Sequence, residues 1–406
     1  MEYDILSIQE EATTIKIVAN EVCSLKKSNI QRYGVRRFEN GKVFQTSRVG
    51  KTTKARLIAD TQEWGGLGSA HEYGFAPAHK EIRTSDSADL KVFELFEEGL
   101  KTLIRLHPDF IFSGRCNIQN QTNSMQSSYG LDLKSSGGIY DWYFMYQRNG
   151  SGNMLDGYFG DISLKTNIHD LIERHSKFLN VQGKTVKVTN CRMPVLLVDN
   201  QEPLKKLIES FHINKYEDGA ALYSGKLGEK LFSDKISLVD NSYDANSGNF
   251  DFFDGDGIVR TQDLKLVDQG RFVSTISDLR FGKKFGKTST GNGLRAYNRG
   301  VNLSPRSLRF AKGRSPWQSI ISKLDRCLVA MVTAGGDSND LGEFSTPVQI
   351  GYMFEKGEIV GQAPQVTIKT SVDKYLGKDL IDVSSDGFTP AYQSACVISE
   401  MEVFVN

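Results

Sequence analysis

The chain has 406 residues, of which 39% are hydrophobic and 24% charged, and its formal net charge is +1. That length allows two or three domains with a sizeable core, and the composition is that of an ordinary globular protein in water. The near-neutral balance gives no whole-molecule bias toward nucleic acid or a membrane surface, and no run approaches the roughly 18 apolar residues of a membrane span.

The first residues, MEYDILSIQEEATT, are acidic and lack the basic-then-apolar order of a secretory leader, so a cytoplasmic location is expected. Residues 1–55 read as paired strands broken by polar turns. The clearest turn is Glu39 to Lys42, ENGK, because Asn-Gly accepts the positive φ of a tight hairpin. In ADLKVFELFEEGLKTLIRLHPD, Leu90, Phe93, Leu95, Phe96, Leu100, Leu103 and Ile104 recur at helical spacing, and His107-Pro108 ends the helix. The Gly-, Ser- and aromatic-rich stretch from Ile111 to Gly160 predicts a hairpin around Arg148-Asn149-Gly150. TNIHDLIERHSKFLN predicts a helix capped by Thr166 or Asn167. Gln182 to Asn190 is a connector, and MPVLLVD reads as a short buried strand.

From Gln201 the chain enters a helix, expected over 201–213, that carries Glu209 and His212. Beyond Ser233, short strands recur between Gly- and Asp-rich turns: KISLVD, LKLVDQGRFVSTIS, CLVAMVT, TPVQIGYMFEKGEIV, QVTIKTS and ACVISEMEVFV. The fold class expected is α+β. A mixed α/β N-terminal domain spans 1–190, and a mostly antiparallel, β-rich C-terminal domain spans 191–406.

The five cysteines are odd in number, widely spaced and without a CxxC pair, which excludes a disulfide framework and a cysteine-rich zinc site. They read as small buried hydrophobes. The six histidines all lie at or before position 212. A hydrolytic zinc site usually needs two or three imidazoles close together, so the second half cannot build one unaided.

Several clusters invite chemistry. HEYGFAPAH (His71 to His79) contains His-Glu, but Gly74 and Pro77 break any helix, so a loop is expected. His169 and His175 lie about 120° apart on their helix and are expected at the surface or facing a partner. DFFDGDGI (Asp251 to Ile258) departs from the calcium-loop order and reads as a turn. Glu209 and His212 offer one carboxylate and one imidazole, short of a tetrahedral metal site. From Arg280 to Arg314 there are ten Lys and Arg and no acidic residue. The run, with Lys283, Lys284, Lys287 and Arg295 among its members, can be a solvated face, a groove or partner edge, or a nucleic-acid patch. It contains no P-loop.

The order SGKLGEK … FDFFDGDGIVR … STGNGLR, then GEFSTPVQIGYMFEKGEIVGQAPQVTIKTS and SDGFTPAYQSACVISEMEVF, resembles the TldD/PmbA family, named as modulators of DNA gyrase and read as a metalloprotease system. In that family DFFDGDGI corresponds to an FDDEG-like turn. The resemblance implies that one subunit type carries zinc on His-Glu-x-x-x-His, with a third ligand from a cysteine in a GTCG-like segment. The matching positions here are Ile208, Glu209 and Ile213, and Ser384 and Ser385 in DVSSDG. The chain is therefore similar to the PmbA/TldE branch without the zinc motif, and no catalytic residue, metal ligand or cofactor of its own is expected. Zinc is expected only in a TldD-type partner.

What the resemblance implies is a non-zinc subunit that helps to form a groove for proteolysis or maturation of unfolded peptides. It would pair as a heterodimer with the zinc subunit or as a homodimer. The candidate groove residues are Glu209, His212, Lys283, Lys284, Lys287 and Arg295. Two alternatives stand beside this reading: a DNA- or gyrase-interacting binding protein, and a self-sufficient peptidase with an unrecognised site. Neutral charge disfavours nucleic acid, and no Gly-x-Ser-x-Gly elbow supports a serine hydrolase.

Overall fold

The computed structural model describes all residues except 154, 163, 165, 166, 200, 244–247, 249 and 389–393. Thr166, one of the two expected helix caps, and part of the closing SDGFTPAYQ segment lie outside the described residues.

The N-terminal half is built on one eight-stranded sheet. Its centre is the long strand Glu2–Val18, antiparallel to Glu21–Glu39 on one side and to Phe110–Ser127 on the other. Glu21–Glu39 continues through the expected Asn40-Gly41 turn into Lys42–Val49; both turn residues have positive φ, at 51° and 70°. Phe110–Ser127 returns as Leu131–Arg148, which pairs with Gly157–Ile162. His79–Thr84 adds a parallel edge to Leu131–Arg148.

Two helices cover part of this sheet. Val92–Leu106 buries Phe96, Leu100 and Leu103, and Ile168–Leu179 buries Leu171, Ile172 and Leu179, against Phe112, Trp142, Phe144 and Phe159. Each fully buried side chain of this size stabilises the fold by about 1.5–3 kcal/mol. Asn167 caps the second helix by accepting from the His169 amide. Leu90 and Leu95, expected on the buried face, are 51% and 44% exposed. Leu90 precedes the helix, and Leu95 lies between the buried Phe93 and Phe96, off the stripe that meets the sheet.

His175 also departs from expectation. It is 4% exposed and stacks on Phe159 with ring centroids 4.4 Å apart. The apolar stripe of its helix runs Ile168, Leu171, Ile172, His175, Phe178 and Leu179, so the imidazole takes a core position. The cysteines divide: Cys116, Cys327 and Cys396 are buried, whereas Cys23 and Cys191 sit exposed on strands.

The C-terminal half holds a second eight-stranded sheet, in the order Arg326–Thr333, Cys191–Leu197, Val397–Val405, Val366–Ser371, Glu343–Glu355 and Asp337–Ser338. Arg326–Thr333 also pairs with Glu343–Glu355, so five strands close into a ring. Pairing is antiparallel except between Arg326–Thr333 and Cys191–Leu197. Closure removes two edges that would otherwise template foreign strands. Alternate residues of Cys191–Leu197 serve different cores: Val195 and Leu197 pack with helix Gln201–Phe211, and Leu196 packs with Trp317, Tyr352 and Ile398. A smaller four-stranded sheet includes Leu238–Asp240, Leu264–Asp268 and Leu308–Phe310. Among the described residues no helix is long and apolar enough to cross a membrane.

The two halves share polar contacts. Tyr146 Oη meets Tyr352 Oη at 3.1 Å, and Tyr352 donates to Gln182 Oε1 at 2.9 Å. Gly34 lies so close to the C-terminal half that a Cβ there would come 2.3 Å from the Tyr297 carbonyl oxygen.

Candidate functional site

Helix Gln201–Phe211 ends one residue before His212, and a short helix, Ile213–Glu217, follows. His212 has extended backbone, φ −70° and ψ 114°, and pairs with Ile276 as an isolated bridge. Glu209 and His212 therefore do not share one continuous helix. Glu209 is held by Lys215 at 3.3 Å and Lys206 at 3.5 Å, and Lys206 also meets Asp340 at 2.8 Å. Burial and the nearby Lys215 ammonium lower the His212 pKa against the opposing pull of Glu209.

A zinc ion does not fit this arrangement. Ile213 is 2% exposed and Ile208 is partly buried, both against the main C-terminal core, and neither carries a donor atom. Ser384 is fully buried; its Oγ accepts from the Cys396 amide at 2.7 Å and donates to the Asp386 carbonyl. The Ser385 amide donates to the Ser315 carbonyl at 2.8 Å. Burial pushes the Cys396 thiol up to about 12, the opposite of what a metal-ligating thiolate needs. Among the described residues, no group of three or more His, Cys, Asp and Glu is placed to hold a metal ion.

Lys283, Lys284 and Lys287 are exposed at and just beyond helix Leu279–Lys284, whose first turn is capped by Asp278 accepting from the Phe281 amide at 2.7 Å. Lys284 reaches Asp218 at 3.4 Å. With the His212–Ile276 bridge, that contact brings the lysine helix alongside the Glu209–His212 corner. Arg295 lies in a different environment, 8% exposed with Nη1 2.7 Å from Asp4.

That environment was not foreseen from the sequence. Arg36 binds Asp4 through Nε and Nη2 and Asp256 through Nη1; Tyr129 Oη also donates to Asp4 at 3.0 Å. Burial opposes ionisation of Asp4, but Arg36 and Arg295 together hold its pKa below the ordinary value. Gly255 permits the approach: a Cβ there would lie 2.3 Å from the Arg295 Cβ. Asp254 shapes the turn by accepting from the Asp256, Ile258 and Gly293 amides. Burial and the neighbouring Asp256 push the Asp254 carboxyl up to about 7 in spite of those donors. A second buried pair, Arg260 and Asp240 at 2.8 Å, is joined by Asn292. The acidic turn DFFDGDG and the arginine of STGNGLR were visible as motifs, but their partners Asp4 and Arg36 were hidden in unremarkable strands.

Beside this network a cavity of about 310 Å³ lies between the N-terminal sheet and the C-terminal half. Its walls include Gln121 and Asn123 from the sheet and Asp251, Asp254, Arg295 and Arg306 from the C-terminal half.

The PmbA/TldA metallopeptidase C-terminal domain profile matches residues 190–404. An uncharacterized protein from Methanocaldococcus jannaschii is 21% identical over 379 residues, covering 88% of this chain and 86% of that protein. The crystal structure of TldE from Thermococcus kodakarensis superposes with a TM-score of 0.87 at 19% identity, covering 100% of this chain and 97% of that one. A candidate modulator of a DNA gyrase from Thermotoga maritima superposes with a TM-score of 0.82 at 16% identity, covering 99% and 96%. These structures share the α+β architecture described above.

Proposed function

Because the chain belongs to the PmbA/TldA metallopeptidase family, as the match over residues 190–404 establishes, we propose that it acts as the non-zinc, TldE-like subunit of a two-subunit peptidase. The observation that carries this reading is the filling of the expected ligand positions by Ile208, Ile213 and Ser384, with Ile213 packed in the core. An isoleucine there can neither bind an ion nor be turned out to solvent without opening the core. In this reading the chain divides near residue 190, and its β-rich half completes a peptide groove. A TldD-type partner supplies the metal-activated water. The exposed Lys283, Lys284 and Lys287, with the adjacent Glu209–His212 corner, form the edge that meets substrate or partner. The match to TldE from Thermococcus kodakarensis supports the pairing.

The test is elemental analysis and peptide cleavage with the purified chain, alone and mixed with a zinc-bearing family member. The expected result is no stoichiometric zinc and no cleavage alone, with both in the mixture. About one tightly held zinc per chain alone would overturn the reading.

A further inference from the structure

The cavity beside the buried ion-pair network carries an inference independent of the zinc question. Its polar wall is made of charges with unequal partners. Arg295 is balanced by Asp4. Arg306 makes no direct ion pair among the described residues, although Asp254, Asp251 and Asp240 are near enough to favour its charge. Its Nη2 donates to the backbone carbonyls of Asp251 and Phe253, and its Nη1 has no protein acceptor. Arg295 Nε also lacks an acceptor, although the residue is only 8% exposed. A guanidinium cannot lose its proton to escape burial, so buried ones with unfilled N–H donors select for a charged acceptor.

We propose that this cavity binds a small monoanionic carboxylate, with the Arg306 guanidinium as its counter-ion and Arg295 as a neighbouring donor. The volume, about 310 Å³, admits one amino-acid-sized group. Carboxylate is favoured over phosphate because Asp251 and Asp254 share the lining and would repel a dianion. Burial raises both acids, which weakens their repulsion of a single negative charge. Asn123 Nδ2 ties Asp251 down at 2.8 and 3.0 Å, so that wall is already ordered. Two sources share this chemistry: a free small acid, and the C-terminal carboxylate of a peptide.

The experiment is calorimetric titration of the full chain with N-acetylalanine, with its C-terminal amide, with inorganic phosphate and with an unstructured tetrapeptide free acid. The free acid should bind at least about tenfold more tightly than the amide, since the amide loses a charge-assisted pair. Tight binding of the tetrapeptide would identify a chain end as the source, and binding of N-acetylalanine alone would identify a small acid; both support a carboxylate site. Arg306→Gln should weaken the acid by about tenfold or more while the far-ultraviolet dichroism is unchanged. Should that variant fail to fold, Leu294→Trp serves instead: Leu294 lines the cavity at 62% exposure, and a larger side chain there should block binding without touching a guanidinium. Equal binding of acid and amide, phosphate binding as tightly as the acid, no binding of any acid, or binding untouched by both variants would overturn the proposal.

Discussion

The Arg36 guanidinium lies 2.7 Å from the Asp256 carboxylate across 220 residues of sequence, with the two side chains 5% and 2% exposed. This pair joins the long N-terminal hairpin to the C-terminal half. Taking such charges out of water is costly, and the cost is offset only while every partner is present. Arg36→Ala would remove the direct ion pair of Asp256 and leave Asp4 with Arg295 alone. We expect a loss of about 3–5 kcal/mol in urea unfolding. A loss below about 1 kcal/mol would mean the network relaxes around the gap.

The acid limb of the stability profile should carry the mark of His175. Burial, reinforced by the nearby Arg174, depresses its pKa from 6.5 to about 3. The folded state therefore holds a neutral imidazole where the unfolded chain binds a proton. The stabilisation is complete above 6.5 and is lost as pH falls toward 3. The slope from this residue approaches about 1.4 kcal/mol per pH unit inside that window. His175→Phe should flatten the profile between pH 6.5 and 3; an unchanged slope would assign the acid limb to other groups.

Restoring a histidine to the apolar core should damage the fold before it gathers a metal. Ile213→His places a polar ring at a 2% exposed position with no partner designed for it. The expected destabilisation is about 2–4 kcal/mol, with no stoichiometric zinc by elemental analysis. Zinc retained by this variant would show that the ligand geometry survives behind the isoleucines.

The approach of Gly34 to Tyr297 can be tested by adding one methyl group. Gly34→Ala meets a backbone oxygen at 2.3 Å, which cannot rotate away. We expect about 1–3 kcal/mol of destabilisation in thermal unfolding, the usual range for overpacking. Wild-type stability in this variant would mean that the two halves separate there at little cost.

Much of the scaffold is legible in the sequence. The Asn40-Gly41 turn, the helix ending at His107 and the series of strands after Ser233 follow local rules of turn chemistry and periodicity. The same rules led His175 astray, because a helical stripe was read by residue type; six residues' separation from His169 says nothing about which face meets Phe159. The Glu209–His212 corner was placed on one helix, and the backbone break at His212 has no local sequence signal such as Gly or Pro. Least legible was the cavity. Asp4 and Arg36 face each other on the N-terminal hairpin while Asp256 and Arg295 come from far later in the chain, and only tertiary pairing turns four ordinary surface-type residues into a buried set.

The spacing of that set also bears on how the chain is made. Arg295 follows Asp4 by 291 residues, so a ribosome completes the hairpin bearing Asp4 and Arg36 long before it delivers Arg295. The early residues already form a neutral couple, Asp4 with Arg36. The late segment brings one charge of each sign, Asp256 and Arg295, which pair with Arg36 and Asp4 respectively. At neither stage does the growing polypeptide have to shelter an odd charge, so the N-terminal sheet can take shape during synthesis and wait, without electrostatic penalty, for the rest of the chain to dock.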